Sequence, residues 1–217
     1  MVRIYLDLET FRPNENGAFV DEKIIAAGLL IDETPHHKSS LEKELSSLLI
    51  FSEWKGQDEN GIISSIENYI TNTFSQNKNT IVCGYNILRF DIPLLICKSI
   101  KNCNSDPQQT GRLWWDSITV DLQQQILPLN NNRFKGTNLG NILKYAKEKY
   151  GLKPPEYSES GEAIRELYLQ KKYTEIEKHL KNDLIAVRWL DLRGIREFIH
   201  LSDTKKIPLF YELDRNP

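Results

Sequence analysis

Cysteine is scarce in this sequence, methionine occurs once, and long apolar runs are missing. The three cysteines, Cys83, Cys97 and Cys103, are odd in number and fit no zinc-ligand spacing, which argues against a disulfide framework or a zinc module. Cys83 lies in the apolar run TIVCG and reads as a small buried hydrophobe, so a reducing, intracellular setting is expected. No stretch approaches the roughly 18 apolar residues of a membrane span. The first residues lack the basic-then-apolar layout of a secretory signal, so a cytoplasmic location is expected. An excess of one charge sign is also missing: 28 basic and 30 acidic side chains leave a formal charge of −2. That balance does not advertise a nucleic-acid binder, but local charge matters more than the total. With 40% hydrophobic and 27% charged residues, disorder, collagen and coiled coil are poor fits. There is no repeat and no clear linker. The 217 residues read as one domain, with a core over about 2–199 and a tail over 200–217.

What is present reads as an α/β chain with strands early and helices late. Val2 to Leu8 is a strand, and KIIAAGLLID suits a central or near-central one; a turn-rich loop joins them as a hairpin. The next section leaves two choices open, a helix over SLEKELSSLL or a third strand in LLIF. NGIISSIENYITNTF has a helical period, TIVCGYN is a short buried strand, and RFDIPLLICKSI is a helix with its proline in the first turn. KNCNSDPQQTGR reads as loop, and LWWDSITVDLQQQIL as a strand leading into a helix or turn. TNLGNILKYAKEKYG is a helix capped by Thr137 or Asn138 and stopped by Gly151. SESGEAIRELYLQKK is a further helix. A long one follows over TEIEKHLKNDLIAVRWLDLRGIREFI, with Ile176, Leu180, Leu184, Val187, Leu190 and Ile195 on one side, and the remainder is an edge element or tail.

Acids stand against the grain in three places. In YLDLET, Asp7 and Glu9 sit two apart in an apolar strand and so face the same way. Like charges that close repel and raise each other's pKa, and a divalent cation turns the penalty into attraction. The alternative is an edge strand with both acids in water. In GYNILRFDIP, Asn86 and Asp91 follow a strand and open a helix, at the end where open α/β sheets bind ligands. Asp91 can equally be a first-turn acid favoured by the helix dipole. In KHLKND, His179 and Asp183 are four apart and share a helix face, as a site pair or as a surface pair.

Taken in order, YLDLET, GYNILRFD and KHLKND resemble the three motifs of the DEDD-type 3′–5′ exonucleases, nearest to the proofreading domains of family-B DNA polymerases and their stand-alone archaeal relatives. The likeness runs from about Val2 to Leu192. It implies an RNase H-like fold, a mixed central sheet flanked by helices. It also implies two Mg²⁺ or Mn²⁺ ions held by Asp7, Glu9, Asp91 and Asp183. Leu8, Thr10 and Asn86 would contact the substrate, a single-stranded or frayed nucleic acid, and a replication or repair protein would be the partner. One departure stands out. The tyrosine branch of the family has Y-x-x-x-D, and the histidine branch sets its histidine five residues before the acid. Here His179 occupies the tyrosine register and Lys178 the five-back position. An imidazole titrates at about 6.5 and a phenol at about 10, so His179 could act as a base near neutrality. Lys144, Lys147 and Lys149, with Arg133 and Lys135, and separately Lys171 and Lys172, are candidate phosphate contacts or solvated helix faces. Two rival readings stay open: an RNase H-like endonuclease, and a degenerate, non-enzymatic module that binds nucleic acid or a partner.

Overall fold

The computed structural model describes residues 1–13, 19–33, 47–157 and 163–205. Five strands form one mixed sheet: β1 Val2–Phe11, β2 Lys23–Asp32, β3 Leu48–Ser52, β4 Thr80–Gly84 and β5 Ile118–Asp121, in the order β3-β2-β1-β4-β5. The first three strands pair antiparallel, while β4 and β5 join parallel to β1. The third strand therefore lies in LLIF, and SLEKEL falls outside the described residues.

Helices cover both faces. They are α1 Glu59–Gln76, α2 Asp91–Cys103, α3 Pro107–Trp115, α4 Leu122–Ile126, α5 Leu139–Tyr150, α6 Ala163–Leu169, α7 Tyr173–Trp189 and α8 Ile195–Lys205. Alternation along β1 sorts its side chains between two cores. Ile4, Leu6 and Leu8 pack with Ile62, Ile66, Leu94 and Trp114 from α1–α3. Tyr5 points the other way, into Leu143, Leu180, Leu184, Val187 and Phe198 from α5, α7 and α8. By the same period of two, Asp7 and Glu9 lie on the α7 face.

Four features seat α7 and its continuation on that face. Gly28 pairs with Asp7 across the sheet, and a Cβ there would lie 2.5 Å from Leu184 Cδ1, so the helix approaches where a side chain is missing. At the far end, Arg188 binds Asp32 through Nε at 2.9 Å and Nη2 at 2.7 Å. Beyond it a π-helical turn, Leu190–Gly194, presents Asp191 to Arg3 Nη1 at 3.0 Å and to the Tyr5 hydroxyl, which donates at 2.8 Å. At the near end Tyr173 stacks on Trp54 with centroids 4.9 Å apart, which gives this tyrosine a packing role.

Three sequence expectations change. KNCNSDPQQTGR is no simple loop: α2 runs to Cys103, and α3 starts at Pro107 behind Asp106, whose carboxylate accepts the Gln108 N–H at 2.7 Å. Leu113–Trp115 closes that helix instead of opening a strand, leaving Trp114 buried and Trp115 87% exposed. The long C-terminal helix is present with a π-helical stretch in its middle, and it continues through residues 200–205, where a tail or edge element was expected. The caps of α5 are as expected, with Asn138 accepting from the Asn141 N–H and Gly151 at φ 64. Among the described residues no helix is long and apolar enough to cross a membrane.

Candidate active site

The crevice forms where β1 outruns its parallel neighbour. Pairing with β4 stops at Tyr5, so the backbone of Leu8 has no ladder partner on that side. Asp91, the first residue of α2, fills the gap: its Oδ1 accepts the Leu8 N–H at 3.1 Å. Asp91 is 4% exposed and acts as a tie between β1 and α2, not as a cap of its own helix. From the opposite side α7 brings His179 and Asp183. His179 Nδ1 lies 2.8 Å from Glu9 Oε1 and 3.8 Å from Asp183 Oδ2. Three separate chain segments thus gather four carboxyl groups and one imidazole.

The electrostatics are strained throughout. Burial pushes the Asp7 carboxyl well above its ordinary range, and the charges of Asp183, Asp91 and Glu9 push it further. Burial raises Asp91 to about 7, against the pull of its backbone hydrogen bonds. Burial raises Asp183 to about 7 as well, with the His179 charge opposing and Glu9 adding. Glu9 is raised by burial despite His179. On His179 burial acts downward, but the hydrogen bond and charge of Glu9, with the charge of Asp183, outweigh it and leave the imidazole raised. Within this group of five side chains, Asp183 Oδ1 and His179 Nε2 are buried without a hydrogen-bond partner.

Among the described residues no three His, Cys, Asp or Glu side chains converge as ligands of one cation. Two of the carboxylates are turned to other tasks, Glu9 to His179 and Asp91 to Leu8. The donor chemistry nonetheless fits a hard divalent ion: oxygen ligands only, excess negative charge, and an unpartnered buried oxygen on Asp183.

The Leu8 side chain is in the core on the face away from Asp7 and Glu9, so its part in the crevice is its N–H. The Thr10 hydroxyl donates to Glu22 Oε2 at 2.6 Å, beyond a β-bulge between Glu9 and Thr10. Asn86 takes a left-handed conformation, φ 62, and its Oδ1 is buried with no partner. Tyr85 donates its hydroxyl to the Thr137 carbonyl, and Phe90 meets Phe19 edge-on at 5.4 Å. Lys144 and Lys147 line a cleft of about 790 Å³ between α5 and α7 together with Lys178 and Asn182, the neighbours of His179 and Asp183. A second cleft, about 540 Å³, is lined by Glu67 and Phe74 of α1 and Arg112 of α3, and none of the four acids lines it.

One structural residue escapes a sequence reading. Asp121, at the end of β5, accepts four backbone N–H groups: Asn86 at 3.0 Å, Leu88 at 3.1 Å, Gln123 at 3.0 Å and Gln124 at 3.4 Å. Its cap of α4 is readable from D-L-Q-Q; its grip on the turn before Asp91 is not.

No protein-family model matches the chain, and no curated protein matches it in sequence. In structure it is similar to the family B DNA polymerase from the hyperthermophilic archaeon Pyrobaculum calidifontis, with a TM-score of 0.62 and 15% identity over 96% of this chain. The fold is RNase H-like. The chain spans 26% of that polymerase, about a quarter of its length. An RNase H-like sheet with its acids at the mouth between β1 and β4 follows the rule that ligands of α/β sheets meet the carboxyl ends of the strands.

Proposed function

We propose that this chain is a metal-dependent 3′–5′ exonuclease that hydrolyses phosphodiester bonds at the 3′ end of single-stranded or frayed nucleic acid, with DNA the expected substrate. One observation carries the reading. Asp7 and Glu9 from β1, Asp91 from α2 and Asp183 from α7 gather in one crevice where burial and mutual repulsion hold their carboxyls in an unfavourable state. That arrangement costs stability alone and becomes favourable around cations. The similarity of YLDLET, GYNILRFD and KHLKND to the exonuclease motifs supports it.

Asp7, Glu9, Asp91 and Asp183 would hold two Mg²⁺ or Mn²⁺ ions. Such ions, when bound, would supply a lowered pKa for the attacking water and charge stabilisation for the leaving 3′ oxygen. The protein's own groups supply the remainder. With Nδ1–H donated to Glu9 Oε1, the imidazole of His179 keeps Nε2 as a proton acceptor, and no protein group uses that atom. Glu9 then orients His179 through Oε1, and its carboxylate would also serve as a metal ligand. Leu8 N–H fixes the Asp91 carboxylate. Lys144, Lys147 and Lys178 would meet phosphates of the incoming strand.

Digestion of 5′-labelled single-stranded, 3′-frayed and 3′-blocked oligonucleotides with Mg²⁺ or Mn²⁺ tests this. A ladder shortening from the 3′ end, absent with a blocked end and absent in Asp7→Ala, is expected. Discrete internal cuts would make the chain an RNase H-like endonuclease instead. A specific observation favours a second, non-enzymatic reading: Glu9 is engaged by a histidine in the tyrosine register. Intact protein that binds strands but takes up no Mn²⁺ would select it.

A further inference from the structure

Phe134 is 38% exposed, and the Arg89 guanidinium carbon lies 3.8 Å above the centre of its ring. Leu88, beside Arg89, is 41% exposed. A surface aromatic of this kind is ordinarily loose. Here the backbone beneath it is fixed by buried polar side chains. Asn130 donates its amide to the Arg133 and Lys135 carbonyls. The Thr137 hydroxyl donates to the Phe134 carbonyl at 2.7 Å. Gln123 Nε2 in turn donates to the Thr137 carbonyl at 3.0 Å. Asn131, Asn132 and Gly136 take left-handed conformations, φ 52, 58 and 82, and fold the segment into a tight display loop. Arg89 is held as firmly, on the turn that Asp121 grips through Asn86 and Leu88.

The placement gives this pair a ligand. Arg89 stands two residues before Asp91, so their Cα atoms are at most about 7 Å apart. A guanidinium over a ring uses its charge there and keeps N–H donors in its own plane for a further acceptor. Among the described residues Arg89 has no carboxylate partner. An exposed, rigid aromatic beside an unpaired planar cation is the combination that binds a nucleobase and its phosphate without reading sequence. We infer that Phe134 and Arg89 form a stacking platform for a nucleotide upstream of the scissile end, the base lying against the Phe134–Arg89 pair and Arg89 donating to the adjoining phosphate. This rests on the nucleic-acid reading above, and it deepens that reading by locating a contact for the strand outside the acidic crevice.

The test is fluorescence anisotropy of a fluorescein-labelled oligothymidylate with the full chain in EDTA, where no strand is cut. Phe134→Ala should weaken binding roughly fivefold to a hundredfold, the range for loss of one base–aromatic stack. Phe134→Trp should retain affinity and show an indole emission quenched by the added strand. Arg89→Gln should lower the slope of log affinity against log salt by about 0.7, the value for one phosphate contact on a single strand. An affinity in Phe134→Ala within about twofold of wild type, or an unchanged salt slope in Arg89→Gln, overturns the inference while leaving the nuclease proposal standing. Loss of binding in these variants, in a protein that cuts no strand with Mg²⁺ or Mn²⁺, upholds the platform and overturns the nuclease proposal.

Discussion

Replacing Asp91 by asparagine removes one negative charge from the crevice while keeping an Oδ1 to accept the Leu8 N–H. Burial raises the Asp91 carboxyl from 3.8 to about 7. A group raised in the folded state contributes stability that is present below its unfolded pKa and is lost as pH climbs through the folded one. For Asp91 that window runs from about pH 4 to about pH 7. At about 1.4 kcal/mol for each unit, a charged Asp91 costs the metal-free fold up to roughly 4 kcal/mol at pH 8. Metal-free Asp91→Asn should therefore be more stable than wild type at pH 8, with the difference vanishing toward pH 4. Urea unfolding in EDTA at a series of pH values measures it directly. With Mn²⁺ added the gap should narrow, because wild type gains binding free energy, about 2.7 kcal/mol at a hundred times Kd, that the variant forfeits in part. An Asp91→Asn protein no more stable than wild type at pH 8 in EDTA would refute the claim that these carboxylates are held against their own electrostatics.

Other consequences are independent. The acid limb of the pH–rate profile should follow protonation of His179, and His179→Tyr should abolish that limb where chemistry limits the rate. Gly28→Ala places a Cβ 2.5 Å from Leu184 Cδ1, so thermal unfolding should show a loss of about 1–3 kcal/mol, and metal affinity should fall as α7 lifts from Asp7. Asp121→Ala orphans the N–H groups of Asn86 and Leu88 and should cost about 2–4 kcal/mol by urea unfolding, with strand binding reduced as the Arg89 turn loosens.

Sequence patterns with local causes were legible. Alternation in Val2–Leu8, the apolar run of β2, the Asn138 and Gly151 caps of α5, and the row Ile176, Leu180, Leu184, Val187 each reflect short-range geometry, and the structure places them accordingly. The start of α3 was legible as well, since Asp106–Pro107 is a cap followed by a first-turn proline, but the flanking polar residues read as loop. Leu8 is a similar case: standing between Asp7 and Glu9, it must face the opposite core. Other features depend on contacts across long stretches of chain. Nothing near Asp121 signals that it secures Asn86 and Leu88, and nothing in R-F-K marks Phe134 as the partner of Arg89. In the π turn after Trp189, Asp191 reaches Arg3 and Tyr5, contacts that the helix's own sequence does not signal. For the crevice, the likeness of three segments to the exonuclease motifs nominated Asp7, Glu9, Asp91, His179 and Asp183, where spacing alone left a structural alternative for each. The Glu9–His179 contact became visible only when β1 and α7 were brought together.

Titration calorimetry of the intact protein with Mn²⁺, run in buffers of different ionisation enthalpy, tests the central claim most directly. Carboxyls raised to about 7 are partly protonated at neutrality and must give up protons to become ligands. The account predicts uptake of two ions with proton release at pH 7, release that fades by about pH 8.5, and loss of binding in Asp7→Asn. Absence of Mn²⁺ uptake, or uptake unchanged in Asp7→Asn, would contradict it.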